Sequence, residues 1–479
     1  MTNSHYHTGF NTIIALSFFW GFCFFYLNTP PLYNDFDTAW HITAGDLIRQ
    51  LGHLPTTDSW SFTAAGTAWY NISWLWDVLL SFAAQYFGIK SLYLINIFFY
   101  SAIIAAVAYN LVVRNLSLAV IAITVFIVSF VMLRYACLRP YSFGFLMLPF
   151  YQAYLYRYTI TKRVGYLIIL PILMIAWANI HGGFIAGFIL IGAYGLAAIA
   201  NRNWQQVGHL LIIGFVCLLC ALINPYGIDI YRGVTSTTAS AFTARIDEWQ
   251  RFIISSDTTT LYLLLFIAIL NIREKSVYLA DKFLAIIWLI GGFVYMRNMP
   301  VFVLCSVPLF AGNLAVSGIT RRFPDINTAS LRRYTNIAVV CLVAIMLLPP
   351  VSGMILKKDV LNAENRLPTK ALDYIKLHYP GTRFLNDYGL GAYIIATSRG
   401  EMPVFVDGRA GTAYPESVLQ DYLYLTSTLP NLNDGVLERY KIGGVITFRN
   451  KNLNKIFANK PDWKEVFVDN NYSIFVCNA

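Results

Sequence analysis

The sequence predicts a polytopic α-helical membrane domain of about eleven spans, residues 1–356, followed by a soluble α/β domain, residues 357–479. Three observations carry this reading. Charged residues make up 13% of the chain and apolar residues 57%, whereas a soluble domain is about a quarter charged; mean hydropathy is +0.55. Apolar runs of near-spanning length recur from residue 10 to residue 354, separated by short polar connections. Beyond Lys357 the pattern changes to short β-like runs alternating with helical ones.

A span needs roughly 20 apolar residues, fewer where the bilayer is thin. The first run, 10–27, follows MTNSHYHTGF, which has no Lys or Arg, and no small-residue cleavage site comes after it. It is expected to be a retained span rather than a cleaved signal peptide. The later runs are 91–113, 116–133, 141–156, 164–178, 184–200, 208–223, 259–272, 282–296, 301–316 and 334–354. The stretch 73–88, SWLWDVLLSFAAQYFG, carries Asp77 and Gln85 and either spans or lies flat.

The positive-inside rule decides between these. Arg157, Lys162 and Arg163 mark one loop, Arg273 and Lys275 a second, and Arg321, Arg322, Arg332 and Arg333 a third. All three fall on the cytoplasmic side, with a cytoplasmic N-terminus, only if 73–88 does not cross. It is therefore placed as an interfacial helix within a long first outer loop, 28–90, and the C-terminal domain is placed outside. The net charge of +10 lies largely in short loops; it reads as a topology signal, and no nucleic-acid partner is expected. Cys217 and Cys220, one helical turn apart in an apolar run, read as packing residues.

In the C-terminal part, 368–379 reads as a helix with Pro near its first turn. Strand-like runs are expected at 382–385, 403–406, 443–448, 465–468 and 472–476. Helices are expected near 390–397, 415–425, 435–440 and 453–458, an alternation that argues for a small α/β domain.

The chemistry concentrates in the outer loops. Asn34-Asp35-Phe36-Asp37-Thr38-Ala39-Trp40-His41, followed by Gly45, comes directly after the first span. Two carboxylates and a His beside a membrane are costly unless used. Further along, the outer connections supply Arg134 and Arg139, then Asn179 and His181, then Tyr226, then Glu248, then Arg297.

Transfer of a sugar from a polyprenyl phosphate needs such a set. A carboxylate takes the proton of the acceptor hydroxyl as it attacks the anomeric carbon. Cationic donors meet the departing phosphate, and Arg matches its oxygens well. Asp37, Asp35 and His41 are the expected catalytic residues. Asp37 comes first of these, because it stands nearest Trp40 and His41 at a helix start. Arg134, Arg139, His181 and Arg297 are the expected donor-phosphate ligands, and Asn179, Tyr226 and Glu248 the expected substrate contacts. A divalent cation, Mg or Mn, could do part of the work held by carboxylates; its ligands stay open.

Each residue also has a plainer reading. Asp35 could cap a helix, His41 could be structural, and Arg134 and Arg139 could snorkel at a span end. His181 could pack beside its two glycines. Asp407-Gly408-Arg409 reads either as a binding loop or as a turn closed by an Asp–Arg pair.

DFDTAWHITAGDLI right after the first span, with LPTTDSWSFTAAGTAWY, WANIHGGF and INPYG, resembles the C-type (GT-C) membrane glycosyltransferase superfamily. The strings NDYGLGAYI and VFVDGR resemble the extracytoplasmic domain that ends a bacterial branch of that superfamily. The resemblance implies a GT-C-like membrane domain and an inverting glycosyltransferase. Its partners would be a polyprenyl-phosphate sugar donor, a glycan, lipid or protein acceptor, and membrane lipids. The site would lie on the periplasmic side of a bacterial inner membrane, and Asp35 or Asp37 would be base or metal ligand. The soluble part lacks the WWD-type motif of oligosaccharyltransferases, which argues against en bloc transfer to asparagine. The rival functions are a lipid or sugar transporter or flippase and a non-catalytic assembly protein. The one-sided gathering of charges and the absence of inverted repeats speak against the transporter.

Overall fold

The structure, a computed structural model, describes residues 2–29, 35–239, 278–317, 368–427 and 434–478. Glu248, the basic residues of 273–275 and 321–333, and the runs 259–272 and 334–354 lie outside the described residues. The helices are α1 (Thr2–Asn28), α2 (Asp37–Leu51), α3 (Trp74–Phe87), α4 (Ile89–Val113), α5 (Leu118–Leu133), α6 (Tyr141–Thr161), α7 (Gly165–Ile180), α8 (Ile185–Ala200) and α9 (Trp204–Ala221). They continue with α10 (Ile230–Ala239), α11 (Leu279–Val294), α12 (Met299–Val316) and α13 (Thr369–His378). Then come β1 (Arg383–Asn386), α14 (Tyr388–Ser398), α15 (Glu416–Thr426), α16 (Asp434–Tyr440), β2 (Ile442–Phe448), α17 (Asn452–Ala458), β3 (Trp463–Val468) and β4 (Tyr472–Cys477).

Among the described residues, five segments are long and apolar enough to cross a membrane: Asn11–Asn28, Ile89–Val113, Gly182–Ala200, Trp204–Ala221 and Met296–Val316. α5 and α7 are shorter apolar helices. The stretch 73–88 forms α3, whose 14 residues would rise about 21 Å, short of a hydrocarbon core of about 30 Å.

The chain divides into two compact units. One comprises 1–30, 93–227 and 247–358; the other comprises 31–92, 228–246 and 359–479. The long loop after the first span thus shares a unit with the C-terminal domain.

In the first unit, apolar helices pack through small residues and a buried polar cluster. Arg114, ending α4, donates to Asp281, at the start of α11, at 2.5 and 3.0 Å. Gln152 of α6 donates to Asp281 and to the Cys305 carbonyl, and accepts from Asn110. Such a pair is tolerable inside an apolar bundle only because its hydrogen bonds are met.

In the second unit a sheet ordered β1-β2-β4-β3 forms the core. β1 runs parallel to β2, and β4 is antiparallel to both β2 and β3. The parallel pair requires a crossover, which α14 to α16 supply. Leu385, Val445, Ile446 and Ile474 are fully buried in it. The run 403–406, expected as a strand, is an isolated bridge instead: Val404 pairs with Ser61. Val404 N donates to Trp60 O and Phe62 N to Val404 O. On its other side the buried Asn386 side chain accepts from Phe405 N and donates to Val406 O, each at 2.8 Å. A side-chain amide and a loop thus satisfy the backbone that a fifth strand would have paired.

Candidate active site

Asp35 and Asp37 stand at the start of α2, and their carboxylates take different surroundings. Asp35 is buried and its Oδ2 accepts from Thr38 Oγ1 at 2.9 Å. It also walls a cavity of about 1090 Å³. Asp37 is half-buried, and its Oδ1 lies against Gly408 so closely that a Cβ there would collide with it. Only glycine at 408 lets the 407–409 turn pass that carboxylate. Asp35 stands before the helix and Asp37 opens it, so the two side chains leave backbone of different conformation.

His41 lies one turn further along α2, 4% exposed. Its Nδ1 meets Asp77 Oδ1 of α3 at 2.6 Å. Asn71 Nδ2 donates to the other Asp77 oxygen at 2.8 Å. The ring stacks on Trp40 with centroids 3.8 Å apart, and Nε2 has no hydrogen-bond partner among the described residues. Asp77 is fully buried, and burial raises its carboxyl above the usual carboxylate range, with His41 and Asn71 pulling the other way. The Asp77 carboxyl orients the imidazole through Nδ1, and Nε2 is turned away from that contact. Gly45 makes it possible: a Cβ there would run into the Asp77 carbonyl, so α2 and α3 cross at a glycine.

The cavity runs between α2, α3 and α14, within the second unit. Thr38, Asp46 and Arg49 line it from α2, Ser81 and Gln85 from α3, and Tyr393 from α14. Ser81 Oγ donates to Asp46 Oδ1 at 2.6 Å and accepts from Arg49 Nη1 at 3.0 Å.

Arg409 is a clamp of the fold. It is buried, donates to Asp58 at 2.6 Å and forks onto Asp407 at 2.7 and 2.8 Å. Tyr414 donates to the same Asp407 carboxylate. The guanidinium lies over Trp60 and Trp69, 4.9 and 4.8 Å from their ring centroids. Burial pulls its pKa down, but Asp407, Tyr414 and Asp58 outweigh that and hold it well above the ordinary Arg value. Of the two readings of Asp407-Gly408-Arg409, the structure takes the closed Asp–Arg pair.

The other expected residues belong to the first unit. Arg134 caps the end of α5 and is exposed. Arg139 lies in the tight connection to α6. His181 ends α7 and its Nδ1 accepts from Gly183 N at 3.1 Å. Gly144, near the start of α6, sits against His181 and Trp177, so the Arg139 and His181 connections share one end of the bundle. Asn179 donates to Ile175 O and Ile223 O, each at 2.8 Å, tying the turn that carries Tyr226 to the same end. Arg297 sits in the 3-10 turn between α11 and α12. α11 begins beside the end of α4, so its far end, with Arg297, is at that end too.

The sequence reading missed Asp77 as a partner of His41: the two are 36 residues apart, and no periodicity links them. Asp46, Arg49 and Tyr393 were missed as cavity lining for the same reason. Thr38 was readable, three residues from Asp35 at a helix start. Among the described residues, no three His, Cys, Asp or Glu side chains converge to hold a metal ion.

No family model and no curated protein matches the chain. Among solved structures it is similar to the apo crystal structure of an oligosaccharyltransferase from Archaeoglobus fulgidus. The TM-score is 0.61, with 12% identical residues over 92% of this chain and 69% of that one. The likeness is one of fold.

Proposed function

We propose that the protein is an inverting glycosyltransferase that moves a sugar from a polyprenyl-phosphate-linked donor to an acceptor at the outer face of a bacterial inner membrane. The observation that supports this best is the Asp35–Asp37 pair. It opens a helix directly after the first span, and one of its carboxylates walls a large cavity. The oligosaccharyltransferase fold is the second support.

In the proposed reaction the acceptor oxygen bonds to the anomeric carbon, its proton passes to a carboxylate, and the carbon–oxygen bond to phosphate breaks with the electron pair leaving on phosphate. Asp35 or Asp37 takes the proton, and His41, held by Asp77, steadies the charge at that end of α2. Arg134, Arg139, His181 and Arg297 are the proposed ligands of the leaving phosphate, and Asn179, Tyr226 and Glu248 the proposed substrate contacts. A divalent ion would stabilise the leaving charge. Such an ion takes one or two carboxylates together with substrate phosphate oxygens, and Asp35 or Asp37 would supply the carboxylate.

The test is single-turnover transfer from a short-chain polyprenyl-phosphate sugar by purified protein, with thermal stability followed in parallel. A general base contributes about a hundredfold to ten-thousandfold, and loss of that size is expected in Asp35→Asn or Asp37→Asn, with Asp37 the first candidate. Near-normal transfer by the double variant would remove the mechanism.

A further inference from the structure

We propose that the cavity beside Asp35 is the acceptor site, and that it is built for a saccharide chain of several units rather than for the phosphate-bearing donor or a single sugar. This rests on the transferase reading above and names its acceptor class.

The first argument is extent. The cavity begins at Asp35, just before α2, and reaches Gln50 in the last turn of that helix. Fifteen residues of helix rise about 22 Å, several times the length of one pyranose ring. Its volume, about 1090 Å³, is just above the range of about 300–1,000 Å³ usual for small-ligand pockets.

The second argument is charge. Among the described residues its lining carries three carboxylates, Asp35, Asp46 and Glu401, against two guanidinium groups, Arg49 and Arg399. One negative charge in excess repels a phosphate or diphosphate, which needs cations in surplus. A neutral polyol meets no such opposition.

The third argument is the set of hydrogen-bonding groups that the lining leaves available. Away from Asp35, Gln50, Gln85, Arg399 and Glu401 are exposed and line the cavity. Their side chains make no hydrogen bond or ion pair among the described residues. Two amides, a fork of donors and a carboxylate can serve vicinal hydroxyls, which donate and accept together. Arg399 is held there by the backbone: it ends α14 in the left-handed region (φ 55), and Gly400 follows at φ 80 against the Trp60 indole. Among the described residues the lining comes from helices and loops and none of it from a strand, so an extended peptide finds no sheet edge to pair with.

The acceptor would lie with its reacting hydroxyl at the Asp35 end and its remaining units along α2 toward Arg399. Longer chains would gain contacts that a monosaccharide cannot reach.

The test uses the full chain in nanodiscs and a panel of linear gluco-, manno-, galacto- and N-acetylglucosamine oligosaccharides of one to six units. Binding is read by saturation-transfer NMR and by protection against thermal unfolding. For at least one series, affinity is expected to rise with length. Gln85→Ala with Arg399→Ala should weaken the longest chain about tenfold or more, the effect of losing one or two hydrogen bonds to charged groups. The same pair of changes should leave the monosaccharide and the unfolding temperature unaltered.

Flat length dependence, no binding across the panel, or a double variant that binds the hexamer like wild type would overturn the proposal. So would displacement of the saccharide by a short-chain polyprenyl phosphate that itself loses affinity in the double variant, since the cavity would then be the donor's. Length-dependent binding without any sugar transfer would instead count against the transferase reading and leave this site standing.

Discussion

Asp77 illustrates how one buried carboxyl sets the pH behaviour of its surroundings. Burial raises its pKa in the folded protein. A raised folded-state value means the native state holds a proton that the unfolded chain releases. That stability is fully present below the unfolded carboxyl pKa and is lost as pH rises through the folded value. Thermal unfolding of the wild type followed across this window should therefore show a decline that Asp77→Asn lacks. An identical slope in both proteins would place the titration elsewhere. The substitution keeps a hydrogen-bonding partner for His41, so a shifted pH optimum for transfer at unchanged donor KM would mark Asp77 as a positioning residue. The cations of the first unit make a separate case. Losing a charged hydrogen bond to phosphate costs about 1.5–3 kcal/mol. Alanine at Arg134, Arg139, His181 and Arg297 together should reduce donor binding at least tenfold by isothermal titration, and unaltered binding would move the phosphate site away from all four.

The loop from 55 to 72 behaves as part of the C-terminal domain because Arg409 joins them. Its partner Asp58 is 351 residues away in the chain, and both side chains are wholly out of solvent. Removing one partner of a buried, hydrogen-bonded pair leaves an uncompensated charge and costs about 3–5 kcal/mol. Arg409→Met should accordingly lower the unfolding temperature of this unit and expose 55–72 to limited proteolysis. Asp58→Asn should do the same to a lesser degree, since Asp407 still holds the guanidinium. Wild-type protease resistance in Arg409→Met would mean that the backbone bonds of Trp60, Phe62 and Val404 suffice without the ion pair. The α2–α3 crossing should be equally intolerant: Gly45→Val drives a side chain into the Asp77 carbonyl, which must separate the helices and with them His41 and Asp77.

The proposed orientation of the chain in the membrane rests on charge rather than on packing. The basic clusters at 157–163, 273–275 and 321–333 are expected on the cytoplasmic side. With 73–88 not crossing, residue 479 is then expected outside. A dual reporter fused after Ala479 should be active only on the outer side; activity confined to the cytoplasm would invert the whole assignment, including the face on which transfer is proposed.

Much of this was legible from local pattern. Among the described residues, helices cover the apolar runs read between residues 10 and 316, and β1, β2, β3 and β4 fall on four of the five expected strand runs, because hydropathy and period are properties of neighbouring residues. The carboxylates after the first span were legible too, since charge beside so apolar a segment stands out. What the amino-acid order left open was every partnership made across the chain. Composition places a boundary near Lys357, yet it cannot say that 31–92 packs with 359–479 in one unit. The run 403–406 has a strand's residues, and became a bridge because Asn386 and the 60–62 loop reached it first. His41 could be placed on the same helix face as Asp37, but its partner Asp77 came from another helix. Side chains such as Asp58, Asp77 and Arg409 carry no periodic signal; only the folded chain brings them within hydrogen-bond reach, and burial then makes each contact count.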